Sequence, residues 1–120
     1  MRALNAIELA IEPQALEGHA VRAAELMKSM SNKWRLLVLC SLVHGEKSVG
    51  ELERRVGLGQ SALSQHLAVL RRKELVATRR SAQTVYYRLS GLEVAAVLTT
   101  LYGLYCGTDA ERCGVDAAGI

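Results

Sequence analysis

Residues 48–89 read SVGELERRVGLGQSALSQHLAVLRRKELVATRRSAQTVYYRL, and the reading of the fold turns on them. Ser48 and Glu51 stand at the spacing of a capping box, in which each side chain bonds the other's backbone N–H. This predicts a short helix that ends near Val56. Gly57-Leu58-Gly59 follows as a tight turn. From Gln60 to Lys73, Leu63, Leu67 and Leu70 recur at helical spacing, which leaves Ser61, Ser64, Gln65, Ala68 and Arg72 on the other face. Two helices joined by a short Gly-containing turn form the helix-turn-helix signature. Beyond them, LVATRR and TVYYRL alternate apolar and polar residues on either side of a short polar break, Ser81-Ala82-Gln83. Such alternation predicts a β-hairpin. A basic hairpin directly after a helix-turn-helix is a wing.

Working outward, Pro13 suits a first helical position, and Gln14 to Met30 carry helical character. Leu16, Ala20, Ala23, Met27 and Met30 make a narrow apolar stripe there, of the kind that packs on a partner helix. Ser31 or Asn32 caps a second helix running to about His44, stopped by Gly45. It is apolar nearly all round, which predicts a central position, and it contains Cys40. After the hairpin, Ser90 or Gly91 precedes a last helix from Leu92 to about Cys106. Its apolar stripe is Val94, Val97, Leu98, Leu101 and Tyr105. The expected fold is therefore mainly α with a small β-hairpin wing: four helices, two strands and a final helix. Residues 13–106 form this winged helix-turn-helix domain, 1–12 a flexible arm and 107–120 a flexible tail.

The 120 residues suit one domain. Half are apolar, Phe is absent and aromatics make up 4%, so the core must be built from Leu, Val and Ala. No apolar run approaches the length of a membrane span. The N-terminal stretch carries Glu8 and Glu12 and does not read as a secretory signal. A cytoplasmic protein with reduced thiols is the expectation. Net charge is +3, unevenly spread: Glu46 to Leu89 carries +5 and the remainder −2. A basic middle suggests a surface that faces a polyanion, while on charge alone a solvated charged surface is the plainer reading.

Short hydroxyl and amide side chains on the open face of the second motif helix can approach base edges in the major groove, and Gln can pair with adenine. The basic end of that helix can reach phosphates, which position without specifying. Candidate DNA contacts are Gln60, Ser61, Ser64, Gln65, His66, Arg71 and Arg72 on the helix, with Arg79, Arg80 and Gln83 on the wing. His66 borders the leucine face, where a packed, hydrogen-bonded imidazole is the plainer reading. Arg54 and Arg55 read equally well as a solvated helix surface.

The segment LERRVGLGQSALSQHLAVLRRKELVATRRSAQTVYYRL resembles the winged-helix core of ArsR-type transcriptional repressors, a likeness that covers about residues 13–106. Its most specific pieces are QSALSQHLAVLR, LV, RR and VYYRL in that order. The resemblance implies a homodimer through the first and last helices and a double-stranded operator of twofold symmetry. Two departures stand out. Glu74 occupies a position where the family usually has Gly, and Ser81-Ala82-Gln83 replaces a Gly-containing wing tip.

Many members of the family bind metal or arsenite through paired cysteines in the first helix of the DNA-binding unit. Here the corresponding stretch, Glu46 to Leu52, has no Cys. Others place Asp and His on the last helix. Leu92 to Tyr105 has no His, and Glu93 is its one acid. No metal site or other cofactor is therefore expected. Cys40 in the second helix and Cys106 at the end of the last resemble the pair of the sulfide- and persulfide-responsive SqrR/BigR subgroup. There, reactive sulfur species link two such thiols through a disulfide or polysulfide bridge and DNA is released. The likeness implies a redox switch at Cys40 and Cys106 that controls detoxification genes. The alternatives are the same fold sensing peroxide-type oxidants, or a thiophilic metal or arsenite through the cysteines. Taken singly, each Cys reads as a small buried hydrophobe. Cys113 lies in the tail. An enzyme is not expected: a thiol oxidoreductase lacks support without Cys-x-x-Cys or a βαβ pattern. A winged helix used only for protein contacts fits poorly with the basic helix and wing.

Overall fold

The computed structural model describes residues 11–106. The expectations for residues 1–10, for the tail and for Cys113 lie outside the described residues. Pro13 opens α1 (Pro13–Glu17), which stops at Gly18 because His19 leaves the helical region, with φ −117° and ψ 17°. The chain restarts as α2 (Ala20–Met30). The single helix expected over Gln14 to Met30 is thus two, broken beside glycine, a residue that holds a helix poorly. Of the expected stripe, Met30 reaches the core and Ala23 is half-buried, while Leu16, Ala20 and Met27 stand exposed.

Asn32, rather than Ser31, caps α3 (Lys33–Ser41), accepting from the N–H groups of Trp34 and Arg35 at 2.9 and 3.1 Å. Arg35 then reaches back to the end of α2, donating from Nε to the Ser29 carbonyl at 2.6 Å and from Nη2 to the Lys28 carbonyl at 3.5 Å. A guanidinium on those last carbonyls satisfies acceptors the helix itself leaves open. The helix ends earlier than its composition suggests, and it contributes to the core from one side only. Val38, Leu39 and the following Leu42 are buried, whereas Leu37, Cys40 and Val43 are open.

A two-residue strand that sequence pattern does not anticipate, β1 (Lys47–Ser48), leads into α4 (Val49–Val56). The capping box is present: the Ser48 hydroxyl accepts from Glu51 N–H at 3.2 Å, and the Glu51 carboxylate accepts from Ser48 N–H at 2.8 Å. Gly57, at φ 84°, closes α4 in the left-handed conformation that glycine adopts without penalty. Next come α5 (Gln60–Arg72), β2 (Val76–Ser81), β3 (Thr84–Leu89) and α6 (Leu92–Tyr105). The sheet is antiparallel in the order β1-β3-β2. Ser81 faces Thr84, so a two-residue loop, Ala82-Gln83, joins the wing strands.

The core is aliphatic, as the lack of Phe requires. Leu39, Leu52, Leu63, Leu67, Leu70, Val38 and Val94 are sealed from solvent, and Trp34 and Tyr87 pack against them half-buried. Of the apolar stripe of the last helix, Val94 and Leu98 are buried and Tyr105 is exposed in the single chain. No helix among the described residues is long and apolar enough to cross a membrane.

Candidate nucleic-acid interface

The motif is built from its leucines outward. Leu63, Leu67 and Leu70 are each at most 2% exposed and root α5 in the core. That anchoring turns Gln60, Ser61, Ser64, Gln65, Ala68, Arg71 and Arg72 to solvent. Gly59 at the N-cap offers no side chain to the first N–H groups of α5, and the first turn holds no acid. This helix terminus therefore keeps its partial positive charge open to an anion.

His66 is the exception on the helix. It is half-buried, and its Nδ1 stands 3.5 Å from Nη1 of Arg35. Desolvation and the Arg35 charge hold its pKa below the ordinary imidazole range. Because a guanidinium can only donate, the contact requires an unprotonated Nδ1. The structure thus brings His66 to the joint between α3 and α5, away from the open polar face.

The wing carries Arg79, Arg80 and Gln83 exposed. Arg79 is engaged within the chain: it donates to Glu46 and lies over the Tyr86 ring. Lys73, at the end of α5, pairs with Glu25 of α2 at 3.1 Å. Between α5 and the wing lies a cleft of about 450 Å³ lined by Ser64, Ala68, Arg71, Arg72, Val49, Leu67 and Tyr87. Two residues of this surface are not marked out by sequence pattern, Glu46 and Tyr87. Strand alternation places Tyr87 on the hairpin but gives no sign that it faces the arginines of α5.

The cysteines lie apart from this surface in sequence and in element. Cys40 is exposed on α3, which overturns the reading of it as a buried hydrophobe. Cys106 is half-exposed at the cap of α6. Both are reduced. Partial desolvation pushes the Cys40 thiol pKa up. Among the described residues, no three His, Cys, Asp or Glu side chains gather as metal ligands would.

A helix pair joined by a glycine turn, an open polar reading helix and a basic two-stranded wing define a winged helix-turn-helix DNA-binding domain. The family model described as "Bacterial regulatory protein, arsR family" matches residues 32–78. Transcriptional activator HlyU of Vibrio cholerae is 54% identical over 93 residues, which cover 78% of this chain and 86% of that protein. Nodulation protein NolR of Rhizobium meliloti is 47% identical over 107 residues, 88% of this chain and 87% of NolR. Among solved structures, the transcriptional repressor BigR from Xylella fastidiosa superposes with a TM-score of 0.77 at 42% identity, covering 80% of this chain and 98% of BigR. The chain belongs to the ArsR family and is a transcriptional regulator of the winged-helix type.

Proposed function

We propose that this protein is a homodimeric, cytoplasmic repressor that binds a twofold-symmetric operator and releases it when reactive sulfur species link Cys40 to Cys106. The genes under its control would serve sulfide and persulfide detoxification. The observation that carries the DNA-binding part is the division of α5: three leucines sealed in the core, and Gln60, Ser61, Ser64 and Gln65 open above them. In this reading those four side chains meet base edges, Arg71 and Arg72 meet phosphates, and Arg80 and Gln83 bring the wing to the backbone. The dimer is supported by apolar side chains left open on the outer helices, among them Met27 on α2, Leu92 and Tyr105 on α6. Three of the relatives carry the name biofilm growth-associated repressor, which supports repression as the sign of control.

The switch rests on two accessible thiols on α3 and α6. Cys106 attacks the outer sulfur of a persulfide such as glutathione persulfide, becoming a persulfide itself and releasing glutathione. Cys40, with its raised pKa, acts second: it attacks Cys106 Sγ, forms the disulfide and releases hydrogen sulfide. The two thiols are oxidised and the sulfane sulfur is reduced. If Cys40 has also become a persulfide, its attack leaves a bridge longer by one sulfur, which spans a wider gap than the roughly 7 Å between Cα atoms that a plain disulfide tolerates. Tying α6 to α3 shifts the dimer face and with it the spacing of the two reading helices.

The test is intact-mass analysis and operator binding on the same samples, with a duplex selected from a random pool by the reduced protein. Glutathione persulfide is expected to produce the internal bridge and release DNA. Cys40→Ser and Cys106→Ser proteins are expected to bind DNA and to ignore the persulfide. Full release in both variants overturns the switch. Release by peroxide alone, or by arsenite or a thiophilic metal alone, transfers the sensing role to that inducer.

A further inference from the structure

Across the wing, Arg79 of β2 stands opposite Tyr86 of β3, and Tyr86 stands opposite Ser48 of β1. The Arg79 guanidinium lies 4.6 Å from the centre of the Tyr86 ring. It continues over the sheet to Glu46, donating from Nε to both carboxylate oxygens at 2.7 and 2.9 Å, with Nη2 at 2.7 Å from Oε1. Glu46 sits just before β1, whose Ser48 is the cap of α4. The outermost strand of the wing is therefore strapped, over the ring of the middle strand, to the first helix of the helix-turn-helix. Each partner holds the other charged: the Arg79 hydrogen bond lowers the Glu46 pKa and the Glu46 hydrogen bond raises that of Arg79. Alternation along β2 puts Arg79 on one face of the sheet and Arg80, with core residue Val76, on the other. Arg80 has no ion-pair partner among the described residues.

We infer that Glu46, Tyr86 and Arg79 form a strap that sets the angle of the wing against the reading helix. Arg79 is then a positioning residue, and the wing's phosphate contact falls to Arg80. The inference rests on the DNA-binding reading above and refines it. An exposed ion pair adds little to folding stability. Its effect is geometric, because contacts to DNA need their scaffold held to within about 0.5 Å.

The experiment is fluorescence anisotropy of the selected operator across a salt series, using full-length wild type, Glu46→Gln, Arg79→Gln, the double variant and Arg80→Gln. Removing a carboxylate beside a DNA-binding surface by itself tightens binding. The strap predicts the reverse: Glu46→Gln weakens operator binding, about tenfold, and Arg79→Gln weakens it equally. The double variant is no weaker than either, and the salt slope of all three matches wild type. Arg80→Gln lowers the slope by about 1.8, the signature of two phosphates left unneutralised, one for each protomer of the dimer. Tighter binding by Glu46→Gln, or a slope reduced by about 1.8 in Arg79→Gln, overturns the strap alone. A wild type that binds no duplex overturns the DNA-binding reading on which the strap stands.

Discussion

Glu74 ends the reading helix at φ 63°, in the left-handed region. Its N–H donates to the Arg71 carbonyl at 3.0 Å, and the next N–H, of Leu75, donates to the Leu70 carbonyl at 2.9 Å. This is the Schellman pattern, completed by the burial of Leu75 at the end of the helix. It demands a left-handed residue, and a carboxylate at a helix C-terminus also opposes the helix dipole. Ala82, at φ 56°, begins the two-residue wing loop, again where glycine is the unstrained choice. These are the two non-glycine residues of positive φ among the described residues, and they coincide with the two departures visible in the sequence. Glu74→Gly and Ala82→Gly are each expected to raise unfolding stability by about 0.5–1 kcal/mol, since relief of the left-handed strain exceeds the added entropy of the unfolded chain. Urea denaturation measures this, and a lower midpoint in either variant means the side chain contributes more than its strain costs.

At the scale of elements, α5 is the prediction carried furthest by local pattern. Its leucine spacing, its glycine turn and the Ser48/Glu51 box all lie within a few residues of one another, and all appear as read. Replacing Ser64 and Gln65 together with Ala is expected to weaken binding to the selected operator by about 1–3 kcal/mol for each base no longer read, and to leave random-sequence duplex binding nearly unchanged. An equal weakening on both DNAs shows that these side chains do not read bases. What the sequence hid depends on partners distant along the chain. Two residues, Lys47 and Ser48, are too few to show strand alternation, and they become β1 only because Tyr86 and Tyr87 pair with them. The one-sided burial of α3 follows from which neighbours cover it. Glu46 and Arg79 are each legible as a surface charge, but nothing local marks them as a pair.

For the molecule as a whole, the joint at His66 makes stability depend on pH. Arg35 ties the end of α2 to α3 and meets the unprotonated His66 of α5. The folded-state pKa of His66 is lowered, so the folded chain resists a proton that the unfolded chain accepts. The stability this confers is fully present above the unfolded imidazole value of about 6.5 and is lost as pH falls through the folded value. The lowered carboxylates Glu25, Glu46 and Glu51 lose their contributions only below their ordinary 4.5, so they stay out of that window. Urea midpoints of wild type are expected to drop from about pH 7.5 to about pH 5.5, and those of His66→Gln to drop less. Equal drops remove His66 as the cause.

The aliphatic core has one further consequence. Trp34 is the one tryptophan of the chain, half-buried beside the cap of α3 with Lys33 Nζ 4.8 Å from the ring centre. Six residues along the same helix, about 9 Å away, stands Cys40. The protein therefore contains a built-in optical probe: its indole emission arises from a single site on the helix that bears Cys40. Changes at that thiol can be followed in real time, without a label, against a background free of other indoles.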